Sequence, residues 1–197
     1  MFQTSFFQTV RILILCMAVA LPAFAAGPQK ADDEQKQYLD IRSCKGDLHV
    51  GKDADAAKAG FPLYPGARLR HSGDDDRNGF NFDVLSEAFG IKLVVANYDS
   101  DDAPGKIIEY YRAKLKKYGK VLECHSREHG GNVNANLHDE KHASKELECD
   151  DNSGPVTELK VGTEDNQHLA AVEPGESGRG STFALVYVYA RVKQADI

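Results

Sequence analysis

The sequence lacks features that several classes of protein require. Beyond the N-terminal residues, no apolar run approaches the roughly 18 residues of a membrane-spanning helix, which predicts no integral membrane segment in the mature chain. Basic residues are also in the minority: 24 Lys and Arg face 30 Asp and Glu, giving a net charge of −6. Because no basic cluster is interleaved with aromatics, we expect no nucleic-acid binding.

No catalytic signature is complete. His125, Glu128 and His129 match an inverted metallopeptidase motif, which also needs a helix and a third ligand. The glycine-rich stretch 175–181 resembles an active-site loop, but Arg179 stands where a nucleophile elbow needs glycine two residues after its serine. The stretch also lacks the Gly-Lys-Ser/Thr of a phosphate loop, and a strand rather than a helix follows it. We therefore interpret it as a hairpin turn and predict that the protein is not an enzyme.

The most informative segment present is the N-terminus. Arg11 precedes an apolar run over residues 12–21, and Ala23 and Ala25 are small residues spaced as in a signal-peptidase site. This predicts a signal peptide over residues 1–25, cleaved near Ala25, and a periplasmic or secreted protein. The polar residues 26–37 are expected to form a flexible tether.

The remaining residues, 38–197, are predicted to form a single α+β domain with a mostly antiparallel sheet and one main amphipathic helix packed on it. Residues 91–98 and 182–192 are apolar on both alternating faces, as in buried strands, and the second suits a central position. The helix should begin near Asp102, as cap, and Pro104, and end at Gly119. One apolar stripe should lie on the sheet, formed by Ile107, Ile108, Tyr111, Leu115 and Tyr118.

Shorter elements are predicted around this helix. Residues 121–124, 146–149, 158–162 and 168–172 alternate in the manner of short strands. Before the helix, residues 52–60 are rich in alanine and suggest a short helix ended by Gly60, and Tyr64-Pro65-Gly66-Ala67 suggests a type II turn. Tyr187 and Tyr189 are interpreted as ordinary aromatics of the final strand.

Three cysteines remain after the leader, an odd number for an exported protein. Cys124 and Cys149 each end a Leu-Glu-Cys triplet on predicted neighbouring strands, so we expect a disulfide between them. Cys44 is left over. It could be a buried thiol, the link of a disulfide-bonded dimer, or the true partner of one of the other two.

The loop between those cysteines, a polar insertion over residues 125–145, holds the one unusual cluster of residue types. His125 and His129 are four residues apart, as are His138 and His142. On a helical turn this spacing places two imidazoles on one face, where they could bind zinc or copper. Glycine and asparagine within the loop argue against a stable helix, so a histidine-rich solvated hairpin is the alternative.

Several stretches together resemble a group of uncharacterised exported bacterial proteins. They are Tyr64–Ala67, Lys117–Cys124, Leu159–Thr163 and Phe183–Val188, in that order along the chain. The resemblance implies an envelope or secreted location and imports no activity, cofactor or catalytic residue.

The sequence thus predicts an exported, soluble, non-enzymatic binding or interaction domain without a cofactor, whose partner is an envelope protein or a small ligand. The alternative is a divalent metal-binding protein that uses the histidine-rich loop over residues 125–142.

Overall fold

The computed structural model describes residues 38–43, 46–70, 79–127, 131, 145–150, 152–175 and 178–192, all within one compact unit. The predicted signal peptide and tether lie outside the described residues, as does Cys44. Within the described ranges, no helix is long and apolar enough to cross a membrane.

In the described part of the chain, five strands precede the α-helix and four follow it. Their order is β1 Tyr38–Ser43, β2 Gly46–Gly51, β3 Arg68–Leu69, β4 Gly79–Ser86, β5 Phe89–Ser100, α1 Pro104–Leu115, a 3₁₀ turn Lys116–Tyr118, β6 Leu122–Ser126, β7 Val156–Thr163, β8 Asn166–Pro174 and β9 Ser181–Val192.

All these strands form one antiparallel sheet in the order β1-β2-β4-β5-β9-β8-β7-β6, and β3 pairs with β5 beyond the start of β4. The predicted antiparallel sheet with a helix packed on it is confirmed. The final strand lies between β5 and β8, so its predicted central position is also confirmed. β8 and β9 are joined by the predicted hairpin turn, in which the Gly175 N–H donates to the Gly180 carbonyl.

The helix is shorter than the sequence suggested, and its first turn is built differently. It ends at Leu115 and continues only as the 3₁₀ turn. Asp102 does not cap it: the cap position is Ala103, without a side-chain bond. The Asp102 carboxylate instead accepts hydrogen bonds from the Tyr64 hydroxyl (2.9 Å) and the Lys106 ammonium (2.6 Å). The Lys106 contact ties Asp102 to the first turn of α1, and the Tyr64 contact ties it to the turn over residues 64–67, so the two anchor this end in place of the missing cap.

Two smaller predictions are corrected and one is confirmed. Residues 52–60 form turns rather than a helix, because Ala54, Ala56 and Ala59 are small enough to pack directly against the sheet. Residues 146–149 are not a strand: a single bridge joins Glu146 to Thr163. The type II turn is confirmed, with Gly66 at φ 76° and the Ala67 N–H donating to the Tyr64 carbonyl (3.0 Å).

The sheet has two different faces, because alternate residues of a strand point to opposite sides. The helix face carries Val94, Ala96 and Tyr98 of β5, and α1 packs over its β7–β8 part. Buried side chains on this face belong mainly to one aromatic and aliphatic core. It includes Phe61, Ile107, Tyr111, Leu115, Leu159, Val161, Phe183 and Leu185.

The opposite side, the far face, carries Leu93 and Val95 of β5. Toward β8 its side chains are buried, and the backbone at Gly131 lies so close that a Cβ there would come within 2.8 Å of the Ala171 Cβ. Toward β1 it is exposed: Leu39 keeps 53% and Ile41 keeps 50% of its surface accessible. The segment between Cys124 and Cys149 therefore approaches the far face at Gly131, while the side chains at the β1 end of that face are exposed.

The disulfide between Cys124 and Cys149 is confirmed, with the two Cα atoms 5.5 Å apart. Cys124 is buried in β6 directly opposite Glu158 of β7. The bond ties residues 145–150 to β6 although they form no strand of their own.

Removing this bond should destabilise the protein measurably. For a closed loop with a sequence separation of 25, restriction of the unfolded chain corresponds to about 3.5 kcal/mol. We expect the Cys124→Ser/Cys149→Ser double variant to lose about that much free energy of unfolding in urea titrations. Cys44→Ser is the matched control and should retain the wild-type value. A loss below about 1 kcal/mol in the double variant would contradict the prediction.

Candidate functional site

The predicted metal site can be examined only at its first histidine. His125 lies in β6, and its backbone N–H donates to the Asn152 side-chain oxygen (3.0 Å). His129, His138 and His142 lie outside the described residues. Among the residues that are described, no three His, Cys, Asp or Glu side chains are grouped to hold a metal ion. Zinc or copper binding by the loop stays a prediction.

An open cavity of about 530 Å³ lies on the helix face, and we call it the ring pocket. It lies where the 3₁₀ turn, the 52–60 turn and the ends of β7 and β8 meet β9. Its walls combine three rings with short polar side chains and glycines. The lining residues are Lys58, Gly60, Tyr118, Gly162, Thr163, Asn166, His168 and Tyr187.

His168 is the centre of the aromatic wall. It lies directly opposite Tyr187 in the β8–β9 register, and the two ring centroids are 4.6 Å apart. The Tyr118 ring stacks on the imidazole at 3.9 Å, with 17° between the planes, and the Phe61 ring meets it edge-on at 5.6 Å. Three elements distant in sequence therefore fix one imidazole.

The wall depends on a glycine at position 60. Gly60 has φ 79°, a conformation that favours glycine, and its carbonyl accepts a hydrogen bond from the Tyr118 hydroxyl (2.5 Å). A Cβ at this position would come within 2.8 Å of His168 Nε2. The backbone can reach the imidazole only because residue 60 has no side chain.

The electrostatics of the ring pocket disfavour a protonated histidine. Burial, and secondarily the positive charge of Lys117, lower the pKa of His168 from 6.5 to about 4. The Lys117 ammonium lies 4.4 Å from the Tyr118 ring centroid. At neutral pH the imidazole is thus an uncharged ring, and Lys58 is the charged residue in the lining.

A second histidine, His49, belongs to a polar cluster on the β2–β4 part of the helix face, which shares Lys58 with the ring pocket. Its Nδ1 lies 2.5 Å from Asp40 and its Nε2 lies 3.0 Å from Asp53. Asp53 also receives the Lys58 ammonium and the Asn81 amide. Since both ring nitrogens contact carboxylates, this arrangement orients the imidazole without aiming either nitrogen at a nucleophile. It links β1, β2, β4 and the 52–60 turn.

A third cluster lies on the far face beside the disulfide. The Lys160 ammonium is 3.1 Å from Glu158 and 3.6 Å from Asp150, and both Glu158 and Lys160 are almost completely buried. Breaking such a buried pair leaves one charge uncompensated, so these groups are coupled to the fold. Asp150 and Lys160 also line a smaller cavity of about 180 Å³, together with residues 145–148.

Comparison with known proteins adds no assignment: no family model, no curated protein and no solved structure matches the chain. The resemblance to uncharacterised exported bacterial proteins therefore stays a prediction.

The sequence did not reveal the ring pocket. Tyr187 was interpreted as an ordinary strand aromatic, and His168 as part of a short strand. No contiguous pattern joins residues 58–60, 118, 162–168 and 187, since the sheet register and the 3₁₀ turn bring them together. The histidine-rich loop is recognisable from composition alone, whereas the ring pocket is formed by packing of residues that are distant in sequence.

The lowered pKa of His168 predicts a specific pH dependence. The unfolded state binds a proton near pH 6.5 and the folded state near pH 4. Stability contributed by this group is therefore complete above pH 6.5 and decreases as the pH falls toward 4. We expect an NMR titration of the His168 Hε1 resonance to have its midpoint near pH 4. In His168→Phe, the free energy of unfolding should fall less over this window; an equal fall in both proteins would contradict the assignment.

His49 should show the opposite behaviour. Its hydrogen bonds, first to Asp40 and then to Asp53, raise its pKa above 6.5. The corresponding stability is complete below pH 6.5 and is lost as the pH rises through the raised value. We expect His49→Gln to abolish this loss, a difference of about 0.5 kcal/mol for a partly exposed pair, in urea titrations from about pH 6 to about pH 9. An unchanged slope would contradict the prediction.

Proposed function

We propose that the protein is an exported, non-enzymatic binding domain that holds a small, ring-bearing ligand in the ring pocket. The single observation that carries the proposal is the open cavity walled by Tyr118, His168 and Tyr187. Its volume of about 530 Å³ falls within the range typical of small-molecule sites.

The wall suits a flat ligand with polar edges. Aromatic side chains offer apolar surface in fixed geometry, and His168 is held by rings on several sides. Asn166 and Thr163 add amide and hydroxyl groups to the lining. Few polar groups on a mainly aromatic wall are the usual means by which such sites fix orientation.

Charge argues for a neutral or anionic ligand. Aromatic walls also bind cations, but those sites depend on ring faces that are open to the incoming charge. Here Lys117 already lies over the Tyr118 ring. Lys58 also stands in the lining, but its ammonium is paired with the Asp53 carboxylate. Lys117 would therefore repel a cationic ligand, whereas an anionic group on the ligand would be attracted to it.

The local chemistry supports binding over catalysis. With its pKa lowered to about 4, His168 is a weak base at neutral pH. Two of the three hydroxyls of the lining hydrogen-bond elsewhere: Tyr118 donates to the Gly60 carbonyl and Thr163 contacts the Asp165 carboxylate (2.6 Å). Burial raises the pKa of the third, the Tyr187 hydroxyl, which makes it harder to deprotonate as a nucleophile.

The location belongs to the proposal as well. It is supported by the leader-like residues 1–25 and by a disulfide, which persists in oxidising compartments.

The experiment compares three ligands that share one ring and differ in charge: benzoate, benzyl alcohol and benzylamine. We expect benzoate and benzyl alcohol to shift the His168 Hε1 NMR resonance on titration, and benzylamine to have little effect. Tyr118→Ala removes one ring of the wall and should weaken benzoate binding about tenfold. Tyr118→Phe is the matched control, which keeps the ring and loses only the hydroxyl.

A charge-reversing substitution tests whether a lysine charge determines the preference for anionic ligands. Lys117→Glu should reduce the preference for benzoate over benzylamine, whereas Lys114→Glu, at a residue whose ammonium lies over the Tyr110 ring, should leave it unchanged. Binding that is independent of ligand charge and unaffected by Tyr118→Ala would refute the proposal, because it would place the ligands on another apolar surface such as the far face.

A further inference from the structure

The two ends of the sheet are not equivalent. At the β6 end, the outer side is already occupied: the His125 N–H donates to the Asn152 side chain (3.0 Å), and the Ser153 N–H donates to the His125 carbonyl (3.1 Å). At the β1 end, no described strand pairs with the outer edge. Within the described part of the chain, β1 thus presents an edge of backbone donors and acceptors, which is a template for a further strand.

The residues of β1 alternate in a way that selects its partner. Leu39 and Ile41 lie on the far face, half exposed, while Asp40 and Arg42 lie on the helix face with opposite charges. In antiparallel pairing of β1 with a second β1, residues directly opposite each other share a face. If the two-fold axis passes through Ile41, then Asp40 faces Arg42 of the other copy, and the reverse contact follows by symmetry.

The other symmetric registers are worse. An axis at Asp40 opposes two aspartates, and an axis at Arg42 opposes two arginines, whereas directly opposed like charges destabilise a strand pair. An axis at Leu39 or Ser43 would pair only a short end of β1 with itself. An axis between residues would put side chains of opposite faces together. Charged residues commonly protect edge strands from pairing, but here their alternating signs permit one self-complementary register.

We propose that the protein forms a two-fold symmetric dimer in which β1 pairs antiparallel with β1 of a second copy, centred on Ile41. The Ile41 side chains meet on the far face and extend its apolar row, which continues through Leu48 and Val84. Two Asp40–Arg42 pairs form on the helix face. Isologous pairing of this kind closes on itself and leaves no growing end at β1.

Charge-reversed variants test the register. In Asp40→Arg alone, arginines oppose each other across the axis, and in Arg42→Asp alone, aspartates do. Mixing the two variants restores both attractive pairs. By sedimentation velocity over low-micromolar to sub-millimolar concentrations, we expect the wild type to dimerise reversibly. Each single variant should dimerise at least about tenfold more weakly, and their equimolar mixture should recover the wild-type constant.

The mixture also separates a register effect from misfolding, because a variant that had lost its fold through the broken His49 contact could not be rescued by a partner. A wild type that stays monomeric throughout overturns the proposal. So do single variants that dimerise like the wild type, or a mixture that does not recover.

Cross-linking provides an independent measurement. In a Cys44→Ser background, Ile41→Cys should give a disulfide-linked dimer on mild oxidation, since the two residues are opposite each other at the axis. Leu39→Cys is the matched control: it is equally exposed on the same face but lies away from its symmetry mate. Efficient linkage at position 39, with little at position 41, would exclude this register.

Discussion

Twelve consecutive residue pairs join β5 to β9, from Phe89 opposite Val192 to Ser100 opposite Ser181, and the rest of the molecule is arranged about this contact. On one side stand the strands that precede α1, and on the other stand those that follow it. The two halves are consecutive in sequence and meet mainly here. Both strands are apolar on both faces. Their helix-face side chains belong to the aromatic and aliphatic core, and their far-face side chains belong to a second apolar cluster.

The helix covers only the β7–β8 part of its face, and this limited cover determines where polar chemistry can lie. Under α1 the sheet is aromatic and aliphatic. Beyond the 3₁₀ turn the cover stops, and the exposed ring of Tyr118 overhangs His168 to form the ring pocket. Farther along the same face, the sheet carries His49 between two carboxylates. A short helix on a wide sheet thus yields a pocket at its margin and a hydrophilic surface past it.

The elements that could be predicted from the sequence are those with extensive apolar burial. β9 and α1 were identified because continuous burial leaves apolar runs and apolar stripes. β4 was missed although residues 79–86 alternate, because Asn81 and Asp83 occupy a helix-face region that no described helix covers. The alanines of residues 52–60 favour a helix by propensity, but burial of their small side chains against the sheet outweighs it. The pocket escaped prediction because its residues converge only through strand register.

The linked cysteines also have an evolutionary consequence. Since Cys124 and Cys149 hold the ends of the intervening stretch 5.5 Å apart, its length is largely uncoupled from the stability of the sheet. Doubling such a connection costs only about 0.6 kcal/mol in closure entropy. Drift, insertion or grafted peptides should be accommodated there, provided that the close approach at Gly131 is kept. The stretch can diversify while the fold stays constant, as hypervariable segments do on a rigid framework.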